Sequence, residues 1–241
     1  MKTRHAVILA AGGGTRLRPF TDSRPKCLAE VGGRPILLNA LQSLADSGVE
    51  TVRVVVGHFG NVVRVTVGTR FEGMRVEYVE NEIFARTNSM YSLMLGLDGV
   101  AEATWVVEGD VFFDPRLLKV PTPGDISWLL DSARRDLDGA YITYDADGRA
   151  MSLDIVRNLE LLQSKQAKST GMLHLSAAGV EKVRRWLDAG IQAGKENLYY
   201  DLILGPEFPT SVVHAVDVNG APWFEIDTPE DLRKATALFA A

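Results

Sequence analysis

Apolar runs and helical patterns alternate along the first half of the chain. A short apolar run ended by glycine is typical of a buried strand, and apolar residues three or four apart are typical of a helix. The predicted strands are 6–11, 51–57, 75–79 and 104–110, and the predicted helices are 35–45, which Gly48 ends, and 88–97. This alternation predicts parallel β–α–β units in a doubly wound sheet.

The pattern changes after about residue 115. The predicted strands are 126–130, 139–144 and 171–175, with a turn at 145–148, and the predicted helices are 177–189 and 229–239. Thr228 and Pro229 suit the cap and first position of the last helix. No linker divides the chain. We therefore expect a single α/β domain over residues 1–241, with a mixed, mostly parallel sheet flanked by helices.

Composition and charge exclude several classes of protein. The 241 residues are 46% hydrophobic and 24% charged, which is typical of a globular protein with a sizeable core. The net charge of −5 argues against a nucleic-acid partner. No apolar run is long enough for a membrane span, and the first is too short for a signal peptide. A lone cysteine, Cys27, excludes an intrachain disulfide and favours a reducing, cytoplasmic location.

The first predicted strand leads directly into a glycine-rich loop. Glycines permit close approach of backbone N–H groups to phosphate oxygens, and Arg16 and Arg18 add charged donors. The candidate nucleotide-binding residues are Leu9, Ala10, Ala11, Gly12, Gly13, Gly14 and Thr15. The loop fits neither the dinucleotide fingerprint nor the P-loop. The alternative is a glycine-rich turn with surface arginines.

A lysine follows about ten residues later. Pro25 stiffens the chain before Lys26, so this lysine is a candidate for stabilising charge at a phosphoryl group. The alternative is an ordinary surface lysine.

These stretches together resemble the signature of nucleotide-sugar pyrophosphorylase-type nucleotidyltransferases. The matching segments are 9–21, Pro25-Lys26 and 33–37. The resemblance implies a Rossmann-like nucleotidyltransferase fold, with a nucleotide-binding part over about 1–114 and an acceptor-binding part over about 115–241. It implies attack of an acceptor phosphate on an NTP, with release of pyrophosphate. Arg16 and Lys26 would then be catalytic.

The resemblance also implies Mg²⁺ bound by acidic residues. Asp110 ends a predicted strand, and Asp227 lies near the C-terminus with Glu225 two residues before it. Carboxylates suit Mg²⁺, and ligands gather at the carboxyl ends of parallel strands. The alternatives are a solvated strand end for Asp110 and a neighbour of a helix cap for Asp227.

The segment 85–93 resembles the small cytidylyltransferases that act on phosphocholine and phosphonates. Asn88, Ser89 and Ser92 are candidates for hydrogen bonds to a pyrimidine. They also suit an N-cap cluster on the predicted helix, and both interpretations stay open.

The acceptor is expected to bind residues after about 125. Lys165 and Lys168 are candidates for its phosphate or phosphonate, and Glu196 and Asp201 beside Tyr199 are candidates for an ammonium group. Aromatic residues could form a cage for a quaternary ammonium or could belong to the core. They are Trp128, Tyr141, Tyr144, Tyr199, Tyr200 and Trp223.

The sequence thus predicts Mg²⁺-dependent transfer of CMP from CTP to a small phosphorylated or phosphonate acceptor such as phosphocholine or 2-aminoethylphosphonate. One alternative is a sugar-1-phosphate nucleotidyltransferase that uses dTTP, UTP or GTP. Another is a non-catalytic nucleotide-binding subunit. The hydrophobic content also allows a homodimer.

Overall fold

The computed structural model describes residues 2–240. The strands are β1 (His5–Ala10), β2 (Glu30–Val31), β3 (Arg34–Pro35), β4 (Thr51–Val56), β5 (Arg70–Phe71), β6 (Met74–Glu80), β7 (Thr104–Glu108), β8 (Val111–Phe113), β9 (Ile126–Asp131), β10 (Gly139–Tyr144), β11 (Ala150–Val156), β12 (Gln166–Leu175), β13 (His214–Asp217) and β14 (Trp223–Glu225). The α-helices are α1 (Ile36–Ser47), α2 (Gly60–Val67), α3 (Ser89–Leu97), α4 (Ala177–Gln192), α5 (Asp201–Leu204) and α6 (Pro229–Phe239).

One mixed sheet forms the centre of the fold. Its strand order is β11-β10-β12-β7-β1-β4-β6-β5, and β9 pairs with both β12 and β13. The strands β7, β1, β4 and β6 are parallel to one another, whereas β12 runs antiparallel to β7, β9 and β10. The carboxyl ends of β7, β1, β4 and β6 therefore lie at one edge of the sheet, where ligands gather in open α/β sheets.

Helices cover both faces of the sheet. Side chains alternate along β1, so Ile8 packs with α1 on one face while Val7 packs with α3 and α4 on the other. Both residues are fully buried. This arrangement confirms the predicted α/β class, with a mixed sheet flanked by helices.

Local sequence sets the helix ends. Asn88 caps α3 by accepting a hydrogen bond from the Ser89 N–H. Thr228 and Asp231 form a reciprocal capping box at α6, where Pro229 occupies the first position. Gly48 ends α1 in the left-handed conformation, with φ of 89°.

Most predicted elements are present, with small differences in their ends. The strand predicted at 104–110 ends at Glu108, because a turn at residues 109–110 redirects the chain into β8. The strand predicted at 171–175 begins earlier, at Gln166. The strands β2, β3, β5, β8, β11, β13 and β14 and the helices α2 and α5 were not predicted. Most of these segments are too short to show a hydrophobic period.

Candidate active site

A cavity of about 430 Å³ lies at the carboxyl ends of β1 and β7. Its lining includes most of the predicted nucleotide-binding residues: Leu9, Ala10, Ala11, Gly12, Gly14, Thr15, Asn88, Ser89 and Ser92. Gly13 adjoins the cavity in sequence but is not one of its lining residues. The glycine-rich loop and the start of α3 therefore share one cavity, although they are far apart in the chain.

Gly14 holds the glycine-rich loop against Lys26. Its φ is 58°, and an added Cβ would lie 2.9 Å from the Lys26 Cβ, so the position favours glycine on both grounds. The Thr21 hydroxyl donates to the Gly14 carbonyl at 2.9 Å, and the Leu17 N–H donates to the same oxygen at 2.9 Å. The residues that directly follow the loop therefore hold it in place through the Gly14 carbonyl.

Strand pairing brings the predicted acidic residues together. β14 runs antiparallel to β8, with Glu225 opposite Val111, and the Ile226 N–H donates to the Asp110 carbonyl at 2.9 Å. As a result, Asp110, Glu225 and Asp227 each offer a carboxylate oxygen within 4.8 Å of the others.

Two predicted catalytic cations bind this carboxylate cluster. The Lys26 Nζ donates to Asp110 Oδ2 at 2.6 Å and to Asp227 Oδ1 at 2.5 Å. Arg16 contacts the same Asp227 oxygen at 2.8 Å. Burial acts to lower the pKa of Lys26, but the two carboxylates outweigh burial and raise it. Burial acts to raise the pKa of Asp227, but Lys26 and Arg16 lower it. Both Lys26 and Asp227 are therefore charged at neutral pH.

The donor set fits a divalent cation such as Mg²⁺. Asp110, Glu225 and Asp227 supply the hard oxygen donors that Mg²⁺ prefers. In addition, Asp110 Oδ1 is buried and has no hydrogen-bond partner among the described residues. A buried, unpartnered carboxylate oxygen is costly unless a ligand or ion compensates it.

A second basic side chain, Lys168, binds the carboxylate cluster through Glu225. The Lys168 Nζ donates to Glu225 Oε2 at 2.8 Å and to the Ser169 carbonyl at 3.2 Å. Glu108 and Asp201 also line the cavity, and the negative charges of both act to raise the pKa of Lys168. Burial raises the pKa of Asp201 to about 6 and, together with the charge of Asp110, raises that of Glu108 well above its usual value.

Gly171 makes room for Glu108. The pairing of β12 with β9 shifts register between Ser169 and Leu173, and Gly171 adopts a φ of 71° within this irregular segment. An added Cβ at Gly171 would lie 2.8 Å from Glu108 Oε2. Sequence reasoning placed Glu108 in a strand but missed it as a site residue. Its position two residues before Asp110, at the end of the same strand, could have identified it as a site residue.

The residues predicted to read the base also have structural roles. Asn88 is the α3 cap, as the alternative interpretation proposed. The Ser89 hydroxyl accepts from the Tyr200 N–H at 3.1 Å, and Asn81 donates to the Ser92 hydroxyl at 3.2 Å. Asn81 also lines the cavity and was missed by sequence reasoning.

The predicted acceptor-binding residues divide into two groups. Lys168, Tyr199 and Asp201 line the cavity, whereas Lys165 and Glu196 do not. Lys165 is exposed, and the Glu196 carbonyl instead accepts from the Asn88 N–H at 3.0 Å.

The aromatic residues considered for a cage lie mainly in the core. Trp128, Tyr141, Tyr200 and Trp223 are fully buried, and Trp128 and Trp223 donate their indole N–H groups to Ser169 and Asp131. Among the six, Tyr199 is the one that lines the cavity, and it is 38% exposed. Of the two interpretations in the sequence analysis, the structure favours core packing.

The helices of the described chain do not provide a membrane span. Within residues 2–240, none combines the length and apolar character needed to cross a bilayer.

Residues 6–189 match the family model described as the MobA-like NTP transferase domain. The chain is 32% identical over 243 residues to the CMP-5'-(3-aminopropyl)phosphonate synthase of Streptomyces rubellomurinus, covering 98% of this chain but 38% of that relative. It is 25% identical over 238 residues to the choline-phosphate cytidylyltransferase of Streptococcus pneumoniae, covering 95% of each. The inositol-1-phosphate CTP transferase structure from T. maritima superposes with a TM-score of 0.80 at 25% identity, covering 100% of this chain and 96% of that one.

Proposed function

The chain belongs to the MobA-like NTP transferase family, and from that premise we propose that it transfers CMP from CTP to the phosphate or phosphonate of a small acceptor, releasing pyrophosphate. The observation that carries the proposal is the placement of Lys26, Asp110 and Asp227 in one cavity with the glycine-rich loop. The choice of CTP is supported by similarity to relatives named for CMP or CTP chemistry.

Positioning and charge neutralisation are the main requirements of this reaction, because in-line displacement at phosphorus needs little covalent help. The glycine-rich loop offers backbone N–H groups to the triphosphate, and Arg16 adds positive charge beside it. Lys26 reaches the cavity between two carboxylates and is held there by both. A cation fixed in advance stabilises charge that develops at the α-phosphorus without reorganising first.

Asp110 and Asp227, with Glu225 beside them, are the residues that would hold Mg²⁺. When bound, Mg²⁺ supplies Lewis-acid stabilisation of charge on phosphate oxygens. Lys168 binds Glu225 and so compensates one of the three carboxylates of the site. Asn88, Ser89 and Ser92 line the same cavity at the start of α3, and we assign them contacts to the base of CTP.

The proposal is tested by pyrophosphate release in the presence of Mg²⁺. Four NTPs are crossed with phosphocholine, 2-aminoethylphosphonate, 2-hydroxyethylphosphonate and glucose 1-phosphate. We expect release with CTP and a phosphonate or phosphocholine, and release slowed by two to four powers of ten in a Lys26→Ala control at the same enzyme concentration. Release with glucose 1-phosphate and another NTP would contradict the proposal in favour of a sugar-phosphate enzyme. CTP binding without release from any pair would indicate a non-catalytic subunit.

A further inference from the structure

The carboxylates that would hold Mg²⁺ already have cationic partners. Lys26 Nζ lies 2.6 Å from Asp110 Oδ2 and 2.5 Å from Asp227 Oδ1. Arg16 lies 2.8 Å from the same Asp227 oxygen. Solvent screens the contact between Lys26 and Asp227 weakly, because their side chains are each 14% exposed. A metal ion therefore competes with two cations of the protein for Asp227 Oδ1.

The charges that contact one another are also balanced. Lys168, which is buried, binds the third carboxylate, Glu225, at 2.8 Å. With the two cations on Asp227, three positive side chains meet three negative ones. Burial raises the pKa of the further acids of the lining, Glu108 and Asp201, so they release their protons less readily. An added divalent cation brings two positive charges into a partly buried group that is already neutral, and such an excess is costly.

One carboxylate oxygen of Asp110 remains available to a metal ion. Asp110 Oδ1 is buried and has no hydrogen-bond partner among the described residues, whereas Asp110 Oδ2 accepts from Lys26. Mg²⁺ prefers six oxygen ligands and gives up its bound water reluctantly, so a single protein oxygen holds it weakly. The unpartnered oxygen indicates a place for an ion, and the oxygens bound by Lys26 and Arg16 indicate that the full set of ligands is not yet free.

We propose that Lys26 and Arg16 close the carboxylate cluster to Mg²⁺ and release it only when a triphosphate binds the glycine-rich loop. The inference rests on the proposed function, because it takes this loop as the triphosphate site. Phosphate oxygens carry enough negative charge to attract both side chains away from Asp227. The same phosphates supply the negative charge that balances a divalent cation in an otherwise neutral group. Nucleotide binding and metal binding are therefore coupled through two side chains.

Side-chain rotation is sufficient for this release. The Lys26 side chain runs along the loop, since its Cδ lies 3.4 Å from the position of a Cβ added at Gly14. Arg16 directly follows Thr15 of the loop, and its side chain is 54% exposed. All four residues line the cavity. Each cation therefore lies between the loop and the acids, and it changes partner without a shift of the backbone.

The test measures Mg²⁺ binding to the protein without nucleotide. Calorimetric titration with magnesium chloride compares the wild type with Lys26→Met and Arg16→Met, which remove the charge and keep an unbranched side chain. We expect Lys26→Met to bind Mg²⁺ about 10–100-fold more tightly than the wild type, the range for a hydrogen bond between charged groups. Arg16→Met should gain about two- to five-fold, because the Arg16 side chain is more exposed. The matched control is Lys234→Met at an exposed position of α6.

A double variant shows where the gain in affinity arises. In Lys26→Met/Asp110→Asn the gain should be lost, because the oxygen that Lys26 releases belongs to Asp110. A gain that persists in the double variant would place the metal elsewhere and overturn the proposal. Lys26→Met should also lower turnover while it raises metal affinity, a combination that unfolding does not produce. If Lys26→Met does not fold, the Arg16→Met titration decides in its place.

The titration without nucleotide needs neither CTP nor an acceptor, so it separates this inference from the proposed reaction. Equal Mg²⁺ affinity of the wild type and both single variants would overturn the closure by Lys26 and Arg16 and leave the cytidylyltransferase proposal in place. Tighter binding by the variants, with no pyrophosphate release from any pair of substrates, would support the closure while the proposed activity fails alone.

Discussion

Asp201 provides a direct test of the electrostatics of the cavity. Burial raises its pKa from the usual 3.8 to about 6. An acid whose pKa is raised on folding stabilises the folded state least at high pH, because the unfolded chain releases the proton more readily. Its contribution is therefore fully retained below about pH 3.8 and is lost as the pH rises through about 6.

The magnitude follows from the two pKa values. Their difference lowers the free energy of unfolding by about 3 kcal/mol at pH 8, because each pKa unit corresponds to about 1.36 kcal/mol. At pH 5 the unfolded chain is already largely ionised, so about half of this loss has occurred. Asp201→Asn removes the charge and keeps the shape. We expect the variant to be more stable than the wild type by about 3 kcal/mol at pH 8 and by roughly half of that at pH 5.

Urea unfolding at the two pH values measures this difference. The quantity compared is the free energy of unfolding of Asp201→Asn minus that of the wild type, with Asp188→Asn as the matched control at an exposed position. A difference that does not grow between pH 5 and pH 8 would refute the reasoning, since the charge would then cost nothing on burial.

Three other substitutions test the remaining parts of the site. Lys26→Ala should lower kcat for pyrophosphate release by two to four powers of ten, whereas Lys234→Ala on α6 should not; near wild-type turnover would exclude the electrostatic role. Asp110→Asn should weaken Mg²⁺ binding measured by calorimetry, and unchanged affinity would exclude Asp110 as a ligand. Gly171→Ala should lower kcat/KM for pyrophosphate release, because its Cβ would meet the cavity-lining Glu108 at 2.8 Å. Gly194→Ala has a similar positive φ and open space, so an equal effect there would point to backbone strain alone.

Local sequence patterns identified many of the residues that line the cavity, including the glycine-rich loop, Lys26 and Asp110. The glycine-rich loop and Asp110 follow recognisable strand ends, and parallel strands bring such ends to one edge. Lys26 was singled out instead by the preceding Pro25. Asp227 was accessible only through the family resemblance, because its approach to Asp110 depends on the pairing of β14 with β8. That pairing joins short strands about a hundred residues apart, which no local pattern encodes.

The residues predicted to bind the acceptor show that residue type alone does not identify which side chains line the cavity. Lys165 and Lys168 are three residues apart, yet Lys165 is exposed before β12 while Lys168 is buried within it. The difference arises because Lys168 lies between two partner strands, opposite Tyr141 of β10 and Asp131 of β9. The aromatic residues posed the same problem, since Trp128 and Trp223 satisfy their N–H groups inside the core.

The charges of the site also explain why its carboxylates can be gathered in one place. Asp110, Glu225 and Asp227 lie close enough to repel one another, and burial increases that repulsion. Lys26 and Lys168 offset it by binding these carboxylates directly. Lys26 is thus held in its position by the same acids that would hold Mg²⁺, so one arrangement both stabilises the apo cavity and fixes a cation where a phosphoryl group would react. Asp201 forms no ion pair among the described residues, but the nearby charge of Lys168 partly offsets the effect of burial on its pKa.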